Sequence, residues 1–550
     1  MARIYFDPAD TFAINNSNVS VYGSSGSEMV TIANGVTGVT LDQNVEQLSL
    51  SGLRSAYTYQ QSGNQLLVYS GTALVCRVSV QDDSNGTQLA FSDGTVDAKV
   101  SAAGMTLGGN PLGATTPITP TPTTNLHASV TGVDTASLLT TQSSIVMALN
   151  GNDAWTSTAL TYSFDSTRPA DYTGVQASST VGGNLTTGWQ KLSASLGVLS
   201  SDIIASIDKL LPLSFSQTSA NGDIRFSQVP TSGGVAAFAY FPGTTPSYSG
   251  DVFIDTAIDS TTLGAGGYGQ HTIVHELGHA LGLKHSFSGG VTLPTADDHR
   301  GNTVMSYTAY QNTVLLFTAN AQGISYHDSG IFPDRFMVYD IAALQAIYGT
   351  DTTTATGSNT YQYGTNPFYA TIWDAGGSDA LDLSATTASN TVDLVPGHYS
   401  SINTRSVATQ AQAQKQALAS QGFSGYDSFV DSAYAASAKD IYTGTNNLGI
   451  AYGTVIENLI GGSAADTVHD NKVDNNIKTG AGDDLIYLGA GGYDTVDGGT
   501  GIDTVFVPLT KGQVTYASGS NGLISLVGIA FAADLYGVEK LAFSDQTITV

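Results

Sequence analysis

Four histidines and a glutamate crowd the segment HTIVHELGHALGLKHS, His271–Ser286. His275 and His279 are four apart, so on a helix they share one face, and two neutral imidazoles so placed bind one Zn²⁺. Glu276 lies between them in sequence and reaches a metal-bound water without being a ligand, which suits a general base. Gly282 can adopt a left-handed conformation and stop the helix. The chain then reverses and returns His285 as a third ligand. Three imidazoles leave one position open for water, the mark of a catalytic rather than a structural zinc. Zinc lowers the pKa of that water toward 7, and Glu276 takes its proton as it attacks a carbonyl. A helix can carry His-Glu-x-x-His by accident. The extended form with glycine and a third histidine is far more specific, because five positions must agree. His271 reads as structural or solvent-facing, and His127, His299, His327, His398 and His469 have no ligand-like spacing.

A second chemistry begins at Gly461. The runs GGSAADTVH, DNKVDNNIK, TGAGDDLIY, LGAGGYDTVD and GGTGIDTVF follow the nonapeptide G-G-x-G-x-D-x-U-x, U being a large apolar residue. The apolar position holds Val468, Ile477, Ile486, Val496 and Val505, and the acid position Asp466, Asn475, Asp484, Asp494 and Asp503. Each short strand then points one apolar residue inward, and each glycine-rich turn offers carbonyls and one carboxylate outward. Stacked turns sandwich Ca²⁺ among oxygen ligands in a parallel β-roll. A plain Gly/Asp-rich loop would not keep the apolar register. The second copy lacks its glycines and has Asn475 for the acid, so few calcium ions are expected.

These groups need elements to position them. The chain has 550 residues, 41% of them hydrophobic, which excludes a disordered chain. Charged residues are 11%, with 45 acidic against 18 basic and a net charge of −27. That balance disfavours nucleic acid and anionic membranes as partners. No apolar run approaches the ~18 residues of a transmembrane segment. The N-terminus, MARIYFDPADTF, lacks the apolar core of a signal peptide. Residues 1–111 read as a β-rich domain, with strand-like runs at Val36–Leu41, Gln65–Tyr69 and Thr72–Val80. Within it, Gly23–Thr31 fits the nonapeptide loosely, Glu28 taking the acid position, although a simple turn explains it as well. The single cysteine, Cys76, excludes an intrachain disulfide and falls on the buried face of a strand. A buried core thiol is the commoner reading there than a thiolate capping zinc.

Residues 112–126 form a Pro/Thr linker. Across 127–350 the spacing predicts a helix near Gly188–Leu211, strands at Asp223–Phe226 and Ala236–Phe241, and a helix at Gly269–Leu283. A further helix is expected from Asp340, as N-cap, to a stop at Gly349. Residues 351–550 are Gly-, Asp- and Thr-rich. They are interrupted at 402–441 by alanine and glutamine, which suggests one or two surface helices.

The extended zinc motif is followed by NTVMSY, Asn302–Tyr307, and with it resembles the metzincin zinc endopeptidases, whose second signature is a methionine turn. The resemblance implies that Met305 packs beneath the zinc. The Met-Ser-Tyr form is typical of serralysins and astacins, which implies that Tyr307 is a fifth zinc ligand that swings away to stabilise the oxyanion. LTYSF, DIRF, AFAYFPG and DIAALQAIYG, in that order, are similar to serralysin segments. By that resemblance Ala236–Phe241 is the edge strand that pairs with an extended substrate. WDAGGSDALDLS, Trp373–Ser384, resembles the first calcium turn of the serralysin C-terminal domain, with Asp379 and Asp382 as its acids. The C-terminus, DLYGVEKLAFSDQTITV, is similar to the end of a type I secretion substrate. The resemblance covers residues 127–550. It is departed from at Ser286, where serralysins carry proline, at 402–441, and at the C-terminus, which lacks the acid-plus-three-apolar ending.

The expected molecule is an α+β metzincin catalytic domain, an all-β parallel β-roll C-terminal domain and a β-rich N-terminal domain. It is a secreted zinc endopeptidase with one catalytic Zn²⁺ and several structural Ca²⁺. Its partners are protein and peptide substrates, the type I secretion machinery, and cell-surface or surface-layer proteins. The N-terminal domain is an inhibitory pro-domain or a docking module, released by cleavage in the linker. Two other readings compete: a latent protease specific for one surface partner, and a non-catalytic, calcium-stiffened adhesin with a vestigial site. A vestigial site normally loses a ligand or the base, and none is missing here.

Overall fold

The computed structural model describes residues 2–5, 11–23, 29–33, 35–45, 47–50, 56–62, 64–80, 87–91, 94–101, 104–107, 110–112, 142–172, 188–243, 248–258, 263–519, 522–528 and 531–550. Of the expected linker at 112–126, residues 113–126 lie outside them, as do His127 and Glu28. The chain divides into two compact units. One holds the described residues of 130–469 with 478–485, and the other those of 1–129 with 470–477 and 486–550.

In the first unit a twisted sheet runs in the order Ser214–Thr218, Ala159–Ser163, Ile224–Val229, Val252–Asp255, Ala237–Ala239. The first four strands are parallel, and Ala237–Ala239 lies antiparallel at the edge. All six residues of Ile224–Val229 are buried, as expected of a central strand covered on both faces. Within it, Arg225 is tied to Asp251 and Asp171 by charge-assisted hydrogen bonds of 2.6–3.1 Å. The helices Ala194–Ile207 and Tyr268–Ala280 bury Leu196, Ile203, Ile207, Ile273 and Leu277 against Ile224, Phe226 and Ile254.

The helix expected near Gly188–Leu211 is shorter than its apolar spacing suggests. Ser193 accepts from the Leu196 N–H and sets the start, while Gln190–Lys191 upstream is paired as strand. The helix Val338–Tyr348 starts before Asp340, which corrects that residue's role. Met337 is the N-cap, and the Asp340 carboxylate sits one turn inside, accepting from the Met337 N–H at 2.9 Å. Gly349, at φ +89°, ends the helix.

The alanine/glutamine stretch forms two helices, Val407–Ser420 and Asp427–Ala436. They are not merely superficial. Leu418, Val430, Ala433 and Tyr434 are buried against Leu315 of the hairpin Thr313–Asn320/Gly323–Gly330, making a small core of their own.

The repeat strands pair in parallel. Ala380–Asp382 pairs with Asn458–Ile460 and Thr391–Asp393 with Thr467–His469. In the other unit Tyr493–Asp497 pairs with Ala532–Tyr536 and Thr504–Val507 with Lys540–Phe543. Val468, Ile477, Ile486, Val496 and Val505 are fully buried. The acids do not point outward as expected. Asp466, Asp484, Asp494 and Asp503 are buried too, and the first three accept a backbone N–H from an adjacent turn.

Apart from a 3-10 turn at Ala56, the regular structure described in residues 2–111 is strand. Ala2–Tyr5, Val19–Tyr22 and Val39–Leu41 pair in parallel in one sheet. Thr11–Ile14, Met29–Ile32 and Gln47–Leu50 pair in parallel in a second. The chain thus switches sheet at every strand and stacks Ile14 on Ile32 on Leu50, residues eighteen apart in sequence. Beyond Leu50 the pattern turns mostly antiparallel. Cys76 is buried in this core, and desolvation pushes its thiol far above the ordinary range, so it is a packing residue and not a thiolate.

Candidate active site

The helix Tyr268–Ala280 carries His275, Glu276 and His279, all buried, with the two imidazole centroids 4.8 Å apart. Its end is enforced by sterics. Gly282 has φ +94°, and a Cβ there would fall on the Asp153 carbonyl oxygen. The Gly282 carbonyl accepts from the Gly151 N–H at 2.8 Å. The returning loop is pinned by Lys284, whose backbone N–H donates to Leu149 O at 2.7 Å. Its ammonium donates to the carbonyls of Ala148, Ser288 and Val291. Ser286, where proline was expected, is fully buried and donates from Oγ to Asp298 at 2.5 Å, fixing the loop by another means.

This brings His285 back to the pair. Its Nε2 lies 3.0 Å from Nε2 of His279 and 3.3 Å from Nε2 of His275. The Nδ1 atoms of His275 and His279 each lie 2.7 Å from a carbonyl, of Val304 and Leu283. A carbonyl only accepts, so each Nδ1 carries the proton and each Nε2 presents a lone pair to the others. Burial keeps the rings neutral, pushing His275 down to about 4, His279 well below the ordinary range, and His285 down as well. Two lone pairs that converge on a third ring nitrogen are stabilised by a positive centre among them, and three nitrogens with an adjacent phenol suit Zn²⁺. Among the described residues, this triad alone brings three His, Cys, Asp or Glu ligand atoms within 4.8 Å of one another.

Glu276 is buried beside the triad, burial raises its carboxyl to about 8, and its Oε2 has no hydrogen-bond partner. The Tyr307 hydroxyl lies 3.0 Å from His285 Nε2, on a ring that is 59% exposed. Met305 is fully buried beneath the helix. Gly278 leaves it room, since a Cβ there would lie 2.5 Å from the Met305 sulfur. Behind the turn, Asp340 accepts from the Val304 N–H at 2.8 Å and from the Thr303 hydroxyl, and Val304 in turn holds His275. Gly278 and Lys284 escaped the sequence reading, and so did the contact of Asp340 with the turn, because Met305, Ala148, Thr303 and Val304 are distant from them in the chain.

His271 is buried rather than solvent-facing. It is turned from the triad toward Pro333 O at 3.1 Å and packs on Phe332. Together with Tyr268, Thr272, Glu276 and Tyr307 it lines a cleft of about 310 Å³. The cleft is closed on one side by Gly234–Ala237, leading into the edge strand.

The candidate calcium residues are placed differently. Asp379 is buried, accepts the Asn359 N–H at 2.7 Å, and is flanked by Asp374 and Glu457; burial raises it to about 7. Asp382 is not beside it but bonds Gln362 and Ser384 on a strand. Asp466 accepts from the Asn390 N–H, Asp484 from the Asp466 N–H, and Asp494 from the Asn475 N–H, at 2.7–2.9 Å. Asp503 donates its N–H to Glu539 at 2.8 Å. One oxygen each of Asp379 and Asp494 is buried without a partner. Burial raises Asp494 to about 9. Oxygens so placed fit a hard cation.

Residues 154–304 match the family described as matrixin, and residues 338–430 the family described as peptidase M10 serralysin C terminal. The second match runs through much of the 402–441 stretch that the sequence reading set apart from serralysins. The chain is similar to the metalloprotease AprA of Pseudomonas entomophila, 31% identical over 293 residues, which are 48% of this chain and 51% of the relative. It is similar to the metallopeptidase AprA of Pseudomonas marginalis, 29% identical over 316 residues, 52% and 55% of the two. It is also similar to the serralysin of Proteus mirabilis, 30% identical over 239 residues, 40% and 38%. The chain spans about half the length of the curated relatives it matches.

Proposed function

We propose that this chain, a serralysin-type metzincin over its matched segments, is a zinc-dependent endopeptidase that hydrolyses peptide bonds of proteins. The observation that carries the reading is the convergence of three histidine Nε2 atoms at 3.0 and 3.3 Å beside a buried carboxyl oxygen without a partner. His275, His279 and His285 would hold the zinc, with Tyr307 at its edge. When bound, zinc supplies a Lewis acid and a water acidified toward neutrality. Glu276 takes the proton of the attacking water at Oε2 and passes it to the leaving amine. The Tyr307 hydroxyl, on an exposed ring, donates to the oxyanion. The edge strand Ala237–Ala239 pairs with the substrate backbone, which favours extended peptides of varied sequence.

The domain reading supporting this role is 1–111 as a separate β domain, 112–126 as linker, 127–350 as the peptidase and 351–550 as a calcium-binding parallel β-roll. Secretion by a type I route is part of the same reading and rests on the family likeness. Casein digestion with and without a zinc chelator tests the activity. Chelation abolishes digestion, and Glu276→Gln retains zinc while losing at least about a thousandfold in turnover. Full activity in that variant overturns the mechanism.

A further inference from the structure

We infer that Arg300 makes the cleft selective for an acidic side chain next to the scissile bond, on the side of the histidine triad that faces His271 and Tyr268. The inference rests on the endopeptidase reading. Arg300 lines the cleft with Tyr268, His271, Glu276 and Tyr307. Its backbone is held by a hydrogen bond from its N–H to Thr308 O at 3.0 Å. Its guanidinium lies over the Phe332 ring, 5.5 Å from the centroid. The Nε atom is buried with no hydrogen-bond partner, and no described carboxylate makes an ion pair with this side chain.

That isolation is unusual in a chain with 45 acidic and 18 basic residues. The buried Arg225 of the same unit is neutralised by Asp251 and Asp171. A half-buried cation without a counter-ion is costly unless something else supplies the carboxylate. Glu276, which lines the same cleft, makes no ion pair with it. The planar fork of guanidinium fits a carboxylate in two-point contact, which a substrate Asp or Glu provides and Gln does not.

The test uses the zinc-loaded full chain and quenched fluorescent peptides varied at one position on either side of the cleaved bond among Glu, Asp, Gln, Leu and Lys. A charge-assisted contact of this kind favours Glu over Gln by roughly 10- to 100-fold in kcat/KM. Arg300→Gln removes that ratio, Arg300→Glu turns it toward Lys, and Arg300→Lys keeps part of it. Anisotropy of the same peptides on the Glu276→Gln variant reproduces the order without turnover. Cleavage with a Glu-to-Gln ratio near one overturns the inference while leaving the endopeptidase standing. So does an equal loss for all peptides in Arg300→Gln, which marks a structural role. If no peptide is cleaved, the endopeptidase reading falls, and equal anisotropy for Glu and Gln peptides then overturns the role of Arg300 as well.

Discussion

Gly278 sits inside the zinc motif for a reason unrelated to the metal: it is where Met305 enters under the helix. Replacing it with alanine sets a methyl 2.5 Å from the Met305 sulfur, so one of the two must move. We expect Gly278→Ala to cost about 1–3 kcal/mol and to weaken zinc binding, with Met305→Ala recovering part of the loss. Thermal unfolding and competition with a chromophoric chelator measure both. At this scale the convergence of His275, His279 and His285 beside Glu276 was legible, because helical spacing and one turn fix it locally. Gly278 was visible as a letter but not as a contact, since its partner lies 27 residues on, across the fold.

The helix Val338–Tyr348 matters through one buried carboxyl. Asp340 receives hydrogen bonds from Thr303, Val304 and Met337, yet burial outweighs them and raises it from 3.8 to about 7. It therefore holds a proton more tightly folded than unfolded. The stability it contributes is full below pH about 4 and is lost as pH rises to about 7. Asp340→Asn should remove that part of the pH dependence. Asp340→Ala, which strands three donors in the core, should cost about 2–4 kcal/mol and loosen His275 through Val304. Urea unfolding across pH 4–8 separates the two variants. The helix itself was readable from its apolar spacing and Gly349. Its start was not, because aspartate serves equally at the cap or one turn inside, and only the fold of the Met305 turn decides which.

Across the whole molecule the net charge of −27 finds a partial cause in carboxylates buried between turns. We expect calcium chelation to melt the repeat strands before the peptidase sheet, seen as a loss of β signal in circular dichroism. An unchanged spectrum under chelation counts against calcium in these turns. Asp494→Asn should lower the number of calcium ions counted by titration calorimetry. What the sequence by itself determined is whatever repeats or recurs at short range. The histidine triad, the apolar register from Val468 to Val505 and the edge strand are of this kind, since helix and strand periods act over a few residues. Tertiary structure alone decided that Glu457, not Asp382, flanks Asp379, that repeat acids turn inward, that Ile14, Ile32 and Leu50 stack, and that Arg300 has no counter-ion. Each depends on segments distant in sequence whose meeting is governed by packing and desolvation, which no local pattern of residues encodes.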